Sequence, residues 1–168
     1  MELPEGFTIS GYYPGVIGKV TELHAVYYHL QWGFDVSFEI QVAREAADFL
    51  ENFDAKRDGF WAARAGDAFA GCIALDGRLR ETLGARIRWF IVSPEYQGKG
   101  LGRFLLRKAV EFCTIEKGIR KIFLFTFRGL DSARRLYEGE GFRIVEEKEI
   151  HQWGAKIFDQ EFERPSGP

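Results

Sequence analysis

Two cysteines and three histidines in a chain of 168 residues leave little material for metal or disulfide chemistry. Cys72 and Cys113 are far apart in sequence, and no histidine stands at ligand spacing to either. That excludes a CxxC redox pair or a zinc knuckle and predicts no metal cofactor. Cys113 falls on the apolar side of a predicted helix, where a buried, inert thiol is expected, and a reducing, cytoplasmic location fits. Charge of either sign is not in excess: 23 basic against 25 acidic residues give a net −2. Nucleic acid is therefore not an expected partner, and the Arg134-Arg135 pair sits among acids as a solvated face does. No apolar run approaches the roughly 20 residues that span a bilayer, so no membrane partner is expected. The opening residues show neither the basic nor the apolar region of a signal peptide. What is abundant is aromatic: 16 Phe, 6 Tyr and 4 Trp, enough to make both core and pocket aromatic. Length and composition suit one domain over residues 1–168, with a frayed tail from about residue 164.

A short strand is read from Thr8 to Tyr12, ended by Pro14-Gly15. Val20, Leu23, Tyr27 and Leu30 then recur at helical spacing up to Gly33. A second helix starts near Ser37, its expected N-cap, with Phe38, Val42, Ala46, Phe49 and Leu50 on one stripe. Beyond Asp58-Gly59 the pattern turns to strands. Phe60–Arg64 and Ala68–Leu75 form a hairpin about Gly66, and Ala85–Val92 is a third strand stopped by Pro94. A helix follows Gly98–Gly102 with Leu101, Leu105, Ala109, Phe112 and Cys113 inward and Gly118 as its C-terminal cap. Lys121–Phe127 reads as a central strand covered on both faces. A short helix from Asp131 to about Gly141 and two strands about His151-Gln152-Trp153-Gly154 complete the chain. This order implies α/β or α+β with a mixed sheet.

The segment richest in chemistry is Ile91-Val92-Ser93-Pro94-Glu95-Tyr96-Gln97-Gly98-Lys99-Gly100-Leu101-Gly102-Arg103. A strand enters a turn with three alternating glycines, and a helix begins at once. Glycines admit a ligand close to the backbone, and the free amides and dipole of the helix's first turn favour an anion. This is a cradle for pyrophosphate. A Walker loop would need Ser or Thr after Gly98-Lys99, where Gly100 stands, and the dinucleotide fingerprint needs different glycine spacing. A plain tight connector is the bland alternative.

Gln97-Gly98-Lys99-Gly100-Leu101-Gly102 resembles the Gln/Arg-x-x-Gly-x-Gly/Ala motif of the GNAT acetyltransferases. Ala133-x-x-Leu136-Tyr137-x-x-x-Gly141-Phe142 is similar to that family's second signature, in the right order after a strand. Within the family the chain looks most like the domains fused behind MarR-type regulators. Tyr27-Tyr28, Trp32-Gly33-Phe34-Asp35, Phe38-Glu39, Arg88-Trp89-Phe90, Thr126-Phe127 and Gln152-Trp153-Gly154 carry that likeness, and only the acetyltransferase part of such fusions is implied.

The resemblance implies a GNAT fold: a mixed, mostly antiparallel sheet of six or seven strands with helices on both faces. It implies acetyl-CoA as cosubstrate and an amine acceptor, either a small molecule or a peptide or protein amine. Transfer would be direct, in a ternary complex. Phe90, Ile91 and Val92 would bind the pantetheine arm like an added strand, with the Val92 N–H polarising the thioester carbonyl. Gln97 to Arg103 (Gln97, Gly98, Lys99, Gly100, Leu101, Gly102 and Arg103) would hold the pyrophosphate, with Ala133 also at the cofactor. Leu130 stands where many family members have Asn, which removes that side chain's contact unless Asp131 or Ser132 supplies one.

Tyr137 reads either as a packed helix tyrosine or, with the signature, as the acid that protonates the departing thiolate. A base must also take the ammonium proton. Glu39 is the first candidate and His24 the second, with Glu22, Asp35 and His29 behind them. Tyr28, Trp32, Phe34, Trp89 and Trp153 would wall an amine pocket or simply fill the core. A non-catalytic acyl-CoA sensor is the rival to the enzyme, and a homodimer is open to either.

Overall fold

The computed structural model describes residues 2–115, 119 and 121–165. The order is β1 (Thr8–Ser10), α1 (Val16–Trp32), α2 (Val36–Glu51), β2 (Gly59–Ala65), β3 (Ala68–Asp76), β4 (Ala85–Val92), α3 (Leu101–Ile115), β5 (Lys121–Phe127), α4 (Asp131–Gly139), β6 (Arg143–Gln152) and β7 (Ala155–Pro165). The strands make one seven-stranded sheet in the order β1-β2-β3-β4-β5-β7-β6. All neighbours are antiparallel except β4 and β5. The expected mixed sheet with helices on both faces is what forms.

Two apolar clusters fix the layers. Ala85, Ile87, Leu124 and Phe162 face α3 and α4 and pack on Leu101, Leu105 and Tyr137. Ile91, Phe127 and Ile157 face α1 and α2 and pack on Val20, Phe34 and Phe38. Leu101, Leu105 and Leu106 are fully buried. At about 2 kcal/mol per buried leucine this pins the start of α3 beside β4.

Several sequence expectations shift. β1 stops at Ser10 rather than Tyr12. α2 begins at Val36, capped by Asp35, whose carboxylate accepts from the Ser37 N–H at 2.9 Å. An aspartate at that place satisfies an orphan amide, so Ser37 lies inside the helix instead of at its cap. The buried line of α1 runs Val16, Val20, His24, and Leu30 is 73% exposed. An i, i+4 row, with a histidine filling one place, replaces the expected leucine stripe. Phe125, midway along β5, is exposed, because β5 is not covered there on the α1/α2 side. The frayed tail expected from about residue 164 does not begin there, since Arg164 and Pro165 still pair with Ile122 and Lys121 in β7. The cap proposed at Gly118 and the residues beyond Pro165 lie outside the described residues.

One irregularity positions the site. Cys72 pairs with Ile91 but Ala74 pairs with Arg88, so Ile73 opposes both Trp89 and Phe90. That is a β-bulge, and Trp89 takes φ 45° to make it. A bulky residue at positive φ is strained, by about 1–3 kcal/mol, and such strain gathers at functional sites. The Cys72 thiol donates to the Trp89 carbonyl at 3.1 Å, and the Trp89 ring packs on Phe49. The bulge turns β4 away from β5: their pairing runs only from Ala85↔Ile122 to Ile87↔Leu124. Above that level the two strands splay.

Candidate active site

The splay opens a cavity of about 930 Å³ that reaches both faces of the sheet. On the α3/α4 face its rim is the glycine turn. Gly98 and Gly100 hold φ of +76° and +85°, which a side chain would resist, and both are exposed. Gly102 serves packing: a Cβ there would meet Leu136 Cδ1 at 3.2 Å. The Gly100 carbonyl accepts the first helical bond of α3, from the Phe104 N–H at 3.1 Å. The amides of Leu101, Gly102 and Arg103 therefore have no acceptor within the helix. No acid sits in that first turn to satisfy them.

The strand side is equally specific. The Ser93 N–H donates to the Ala70 carbonyl on β3. Strand alternation then turns the Val92 N–H the other way, towards the gap. The Val92 carbonyl accepts from Gln97 Nε2 at 3.1 Å, which ties the loop to β4. Gly71, opposite Val92, has no room for a side chain, since a Cβ would stand 2.4 Å from the Ile91 carbonyl oxygen. β3 and β4 are thus as close here as β4 and β5 are apart.

The α1/α2 face supplies an aromatic wall. Tyr28 lies 5.6 Å from Trp32 and from Phe127, ring centre to ring centre. Trp153 closes the wall from the β6–β7 turn, where Trp153 and Gly154 both take positive φ, as a two-residue hairpin requires. It packs on Phe34 at a tilt and on Phe38 edge to face, its indole N–H donates to Gln41 Oε1 at 2.8 Å, and its carbonyl accepts from the Asp35 N–H.

Of the residues singled out from the sequence, Phe90, Ile91, Val92, Gln97, Gly98, Gly100, Gly102, Arg103 and Ala133 line the cavity, as do Tyr137 and His24. Lys99 and Leu101 do not. The Lys99 ammonium lies over the Tyr96 ring, and the Leu101 side chain is fully buried in the core. Glu39 is exposed on the first turn of α2 and stands outside the cavity. Glu22 pairs with Lys19 on the surface, Asp35 caps α2, and His29 Nδ1 donates to the Phe34 carbonyl. Leu130 lines the cavity beside Asp131 and Ser132.

Tyr137 is buried, with its ring against Phe90 and Phe162 at 5.9 and 5.7 Å. Burial, helped by the nearby Tyr28 phenol, pushes its pKa well above the usual phenol value. The hydroxyl therefore stays protonated. His24 Nδ1 donates to the Val20 carbonyl at 2.8 Å, leaving Nε2 as the acceptor. Burial lowers its pKa from 6.5 to about 4, so the ring is neutral at pH 7.

That shift predicts a pH effect on stability. Between about pH 6.5 and 4 the unfolded chain carries a proton on His24 that the folded chain refuses, so stability falls as pH falls through this window. Wild type should lose about 2 kcal/mol more than His24→Gln between pH 7 and 5, at up to ~1.4 kcal/mol per pH unit. Urea unfolding of both at the two pH values measures it, and equal losses would mean that the imidazole is solvated.

Two cavity groups were not anticipated. Asp159 on β7, opposite Phe127, lines the cavity with no side-chain partner among the described residues. Burial holds its carboxyl above the usual range. Its signal was an acid two places from the buried Ile157 on the same strand face. Arg86 on β4 alternates with the buried Ala85 and Ile87, a pattern that reads as a solvent face, yet Arg86 is half-buried and lines the cavity. Among the described residues no group of three or more His, Cys, Asp or Glu side chains is placed to hold a metal, and no helix is long and apolar enough to cross a membrane.

No curated protein matches the sequence. Solved structures share the fold. Spermidine N-acetyltransferase from Vibrio cholerae, in complex with CoA and spermine, aligns with a TM-score of 0.70 at 18% identity over 96% of each chain. The ribosomal-protein-S18-alanine N-acetyltransferase of Escherichia coli aligns at 0.66 and 20%, covering 96% of this chain and 95% of that one. The protein yncA from Salmonella typhimurium with its cofactor acetyl-CoA aligns at 0.70 and 17%, with the same coverage. The sequence profile of the acetyltransferase (GNAT) family matches residues 21–142, a span that holds the bulged β4, the glycine turn and Tyr137. By that match, the chain belongs to the GNAT family of acetyltransferases.

Proposed function

We propose that the protein transfers acetyl from acetyl-CoA to an amine by direct attack, with both substrates in the one cavity. The observation that carries this is the gap between β4 and β5, which joins an anion-binding helix start on one face to an aromatic wall on the other. Acetyl-CoA fits the residues present. Unsatisfied amides of Leu101, Gly102 and Arg103, with the Arg103 side chain beside them, suit a pyrophosphate. Phe90 to Val92 offer a strand edge to the pantetheine amides, and the inward Val92 N–H suits the thioester oxygen. Lys99 and Leu101 would contribute backbone alone. The bound thioester supplies an acyl group that is activated without a metal.

Tyr137 then holds the proton for the departing thiolate. Its raised pKa is no obstacle, because burial that disfavours a phenolate disfavours a thiolate at the same place as well. Exchanging one buried anion for another leaves the transfer nearly balanced. On the acceptor side the free Nε2 of neutral His24 is the group best placed to accept a proton from the amine, through water where direct contact is lacking. Glu39 would need a long relay from outside.

The segments that resemble the domains of MarR-type fusions are the ones that build the acceptor wall: Tyr28, Trp32, Phe38, Trp89, Phe127 and Trp153 belong to them. A nearer kinship with that subgroup is accordingly a proposal about acceptor choice. A cytoplasmic location is proposed with it.

The test is an amine panel with acetyl-CoA, following thiol release and acetylated product together. Turnover that depends on the amine, at equal rates before and after exhaustive chelation, is expected. Thiol release without acetylated product would overturn amine transfer.

A further inference from the structure

Most charged side chains around the acceptor half of the cavity are paired. Arg88 donates to Glu45 and, at 3.3 Å, to Asp76, which in turn takes Arg78. Two are not. The Arg86 guanidinium lies over the Phe125 ring at 4.9 Å, and its Nε is buried with no acceptor among the described residues. No carboxylate stands within ion-pairing distance of it there. Burial and the neighbouring Arg88 charge hold its pKa below the usual value, because the nearby carboxylates of Glu45 and Asp76 are taken up by Arg88 and do not pair with Arg86. Asp159 is the opposite case, a carboxylate against the same cavity with no ion pair among the described residues: Lys148, its cross-strand neighbour on β6 and the first charge acting on it, is paired with Glu146 instead. Each feels the other's charge, yet they do not meet. They flank β5 from either side, Arg86 over Phe125 and Asp159 in register with Phe127, two residues or about 7 Å further along the strand.

Leaving two opposite charges partly desolvated and apart is costly unless a ligand joins them. We propose that the acceptor site is built for a zwitterion, a small primary amine with a carboxylate a few bonds away, its ammonium at Asp159 and its anion at Arg86. This rests on the amine-acetylation reading above. The placement is directional. Asp159 lies at the level where β4 and β5 have splayed and the thioester would sit, whereas Arg86 lies lower, where they are still paired. The amine is thus brought to the acyl group and the anion held away from it. Trp32, Phe127 and Tyr28 are left for the side chain. A polyamine, cationic along its length, would meet Arg86 and be repelled.

The experiment compares each protein amino acid with the amine obtained by decarboxylating it, and with spermidine, in acetyl-CoA-dependent acetylation. At least one amino acid should exceed its decarboxylated partner and spermidine by tenfold or more in kcat/KM. Arg86→Gln should lower kcat/KM for that amino acid about tenfold or more, chiefly through KM, and bring the ratio to its partner amine towards one. Asp159→Asn should weaken both members of the pair. A thermal shift with acetyl-CoA in each variant confirms the fold. Wild type that acetylates the decarboxylated amines or spermidine as well or better overturns the zwitterion site and leaves amine transfer standing. So does an Arg86→Gln loss equal for both members. If no compound is acetylated while acetyl-CoA still binds, amine transfer itself fails and takes the zwitterion with it.

Discussion

Acetyl-CoA should raise the Tm of the wild-type protein and leave that of Gly100→Glu where it was. At a concentration 100 times its Kd, a ligand that binds only the folded state adds about 2.7 kcal/mol, which for a chain of this size is a shift of roughly 5–10 °C. Gly100 is exposed, and a Cβ there would meet nothing nearer than Pro4 Cγ at 3.6 Å, so a side chain fits sterically. Its φ of +85° costs an L-residue about 1–2 kcal/mol. A carboxylate at the start of α3 recovers part of that through the helix dipole and the free amides. The variant should therefore fold, with its own anion on the groups that would hold pyrophosphate. Gly100→Ala carries the same backbone strain without the charge and should keep a reduced shift. A folded Gly100→Glu with an undiminished shift would place the cofactor elsewhere.

That the loop could be read from sequence at all follows from its being local. Gln97 to Gly102 carries its chemistry in consecutive residues, and so do the limits of β4 and β5, Ala85–Val92 and Lys121–Phe127, found where they were expected. What sequence could not show is decided by contacts between distant segments. The bulge at Trp89 carries no glycine to announce it, and only the pairing with Ile73 reveals it. His24 is no part of the stripe Val20, Leu23, Tyr27 and Leu30 read for α1, and yet it is buried in the helix's packed line, because α1 packs along its i, i+4 row. Glu39 looked well placed one turn into α2, but the helix directs it to solvent. Arg86 and Asp159 belong to strands that are not neighbours in sequence, and they share a cavity only because β4 and β7 both flank β5.

Tyr137→Phe is expected to lower kcat about 100-fold or more while leaving the acetyl-CoA thermal shift almost unchanged. The ring stays, and with it the contacts to Phe90, Phe142 and Phe162, so stability should move little. The phenol makes no hydrogen bond with the described residues, so no partner is orphaned by its loss. On the proposed reading only the proton it would hold for the thiolate disappears, and that proton would matter in the transition state alone. Tyr28 is the control. It lines the same cavity, and burial raises its pKa too. Its ring belongs to the acceptor wall, whereas Tyr137 packs on Phe90 of the strand that would hold the pantetheine arm. On the proposed reading the leaving sulfur would depart on the Tyr137 side, so Tyr28→Phe should act mainly on KM for the amine. The reverse pattern, with kcat falling in Tyr28→Phe alone, would move the acid to α1. If neither variant changed kcat while chemistry limits turnover, water would be the acid and Tyr137 a packing residue. A wild-type protein that binds acetyl-CoA and acetylates no amine would favour the non-catalytic sensor, which needs the glycine turn but has no use for a phenol above the thioester.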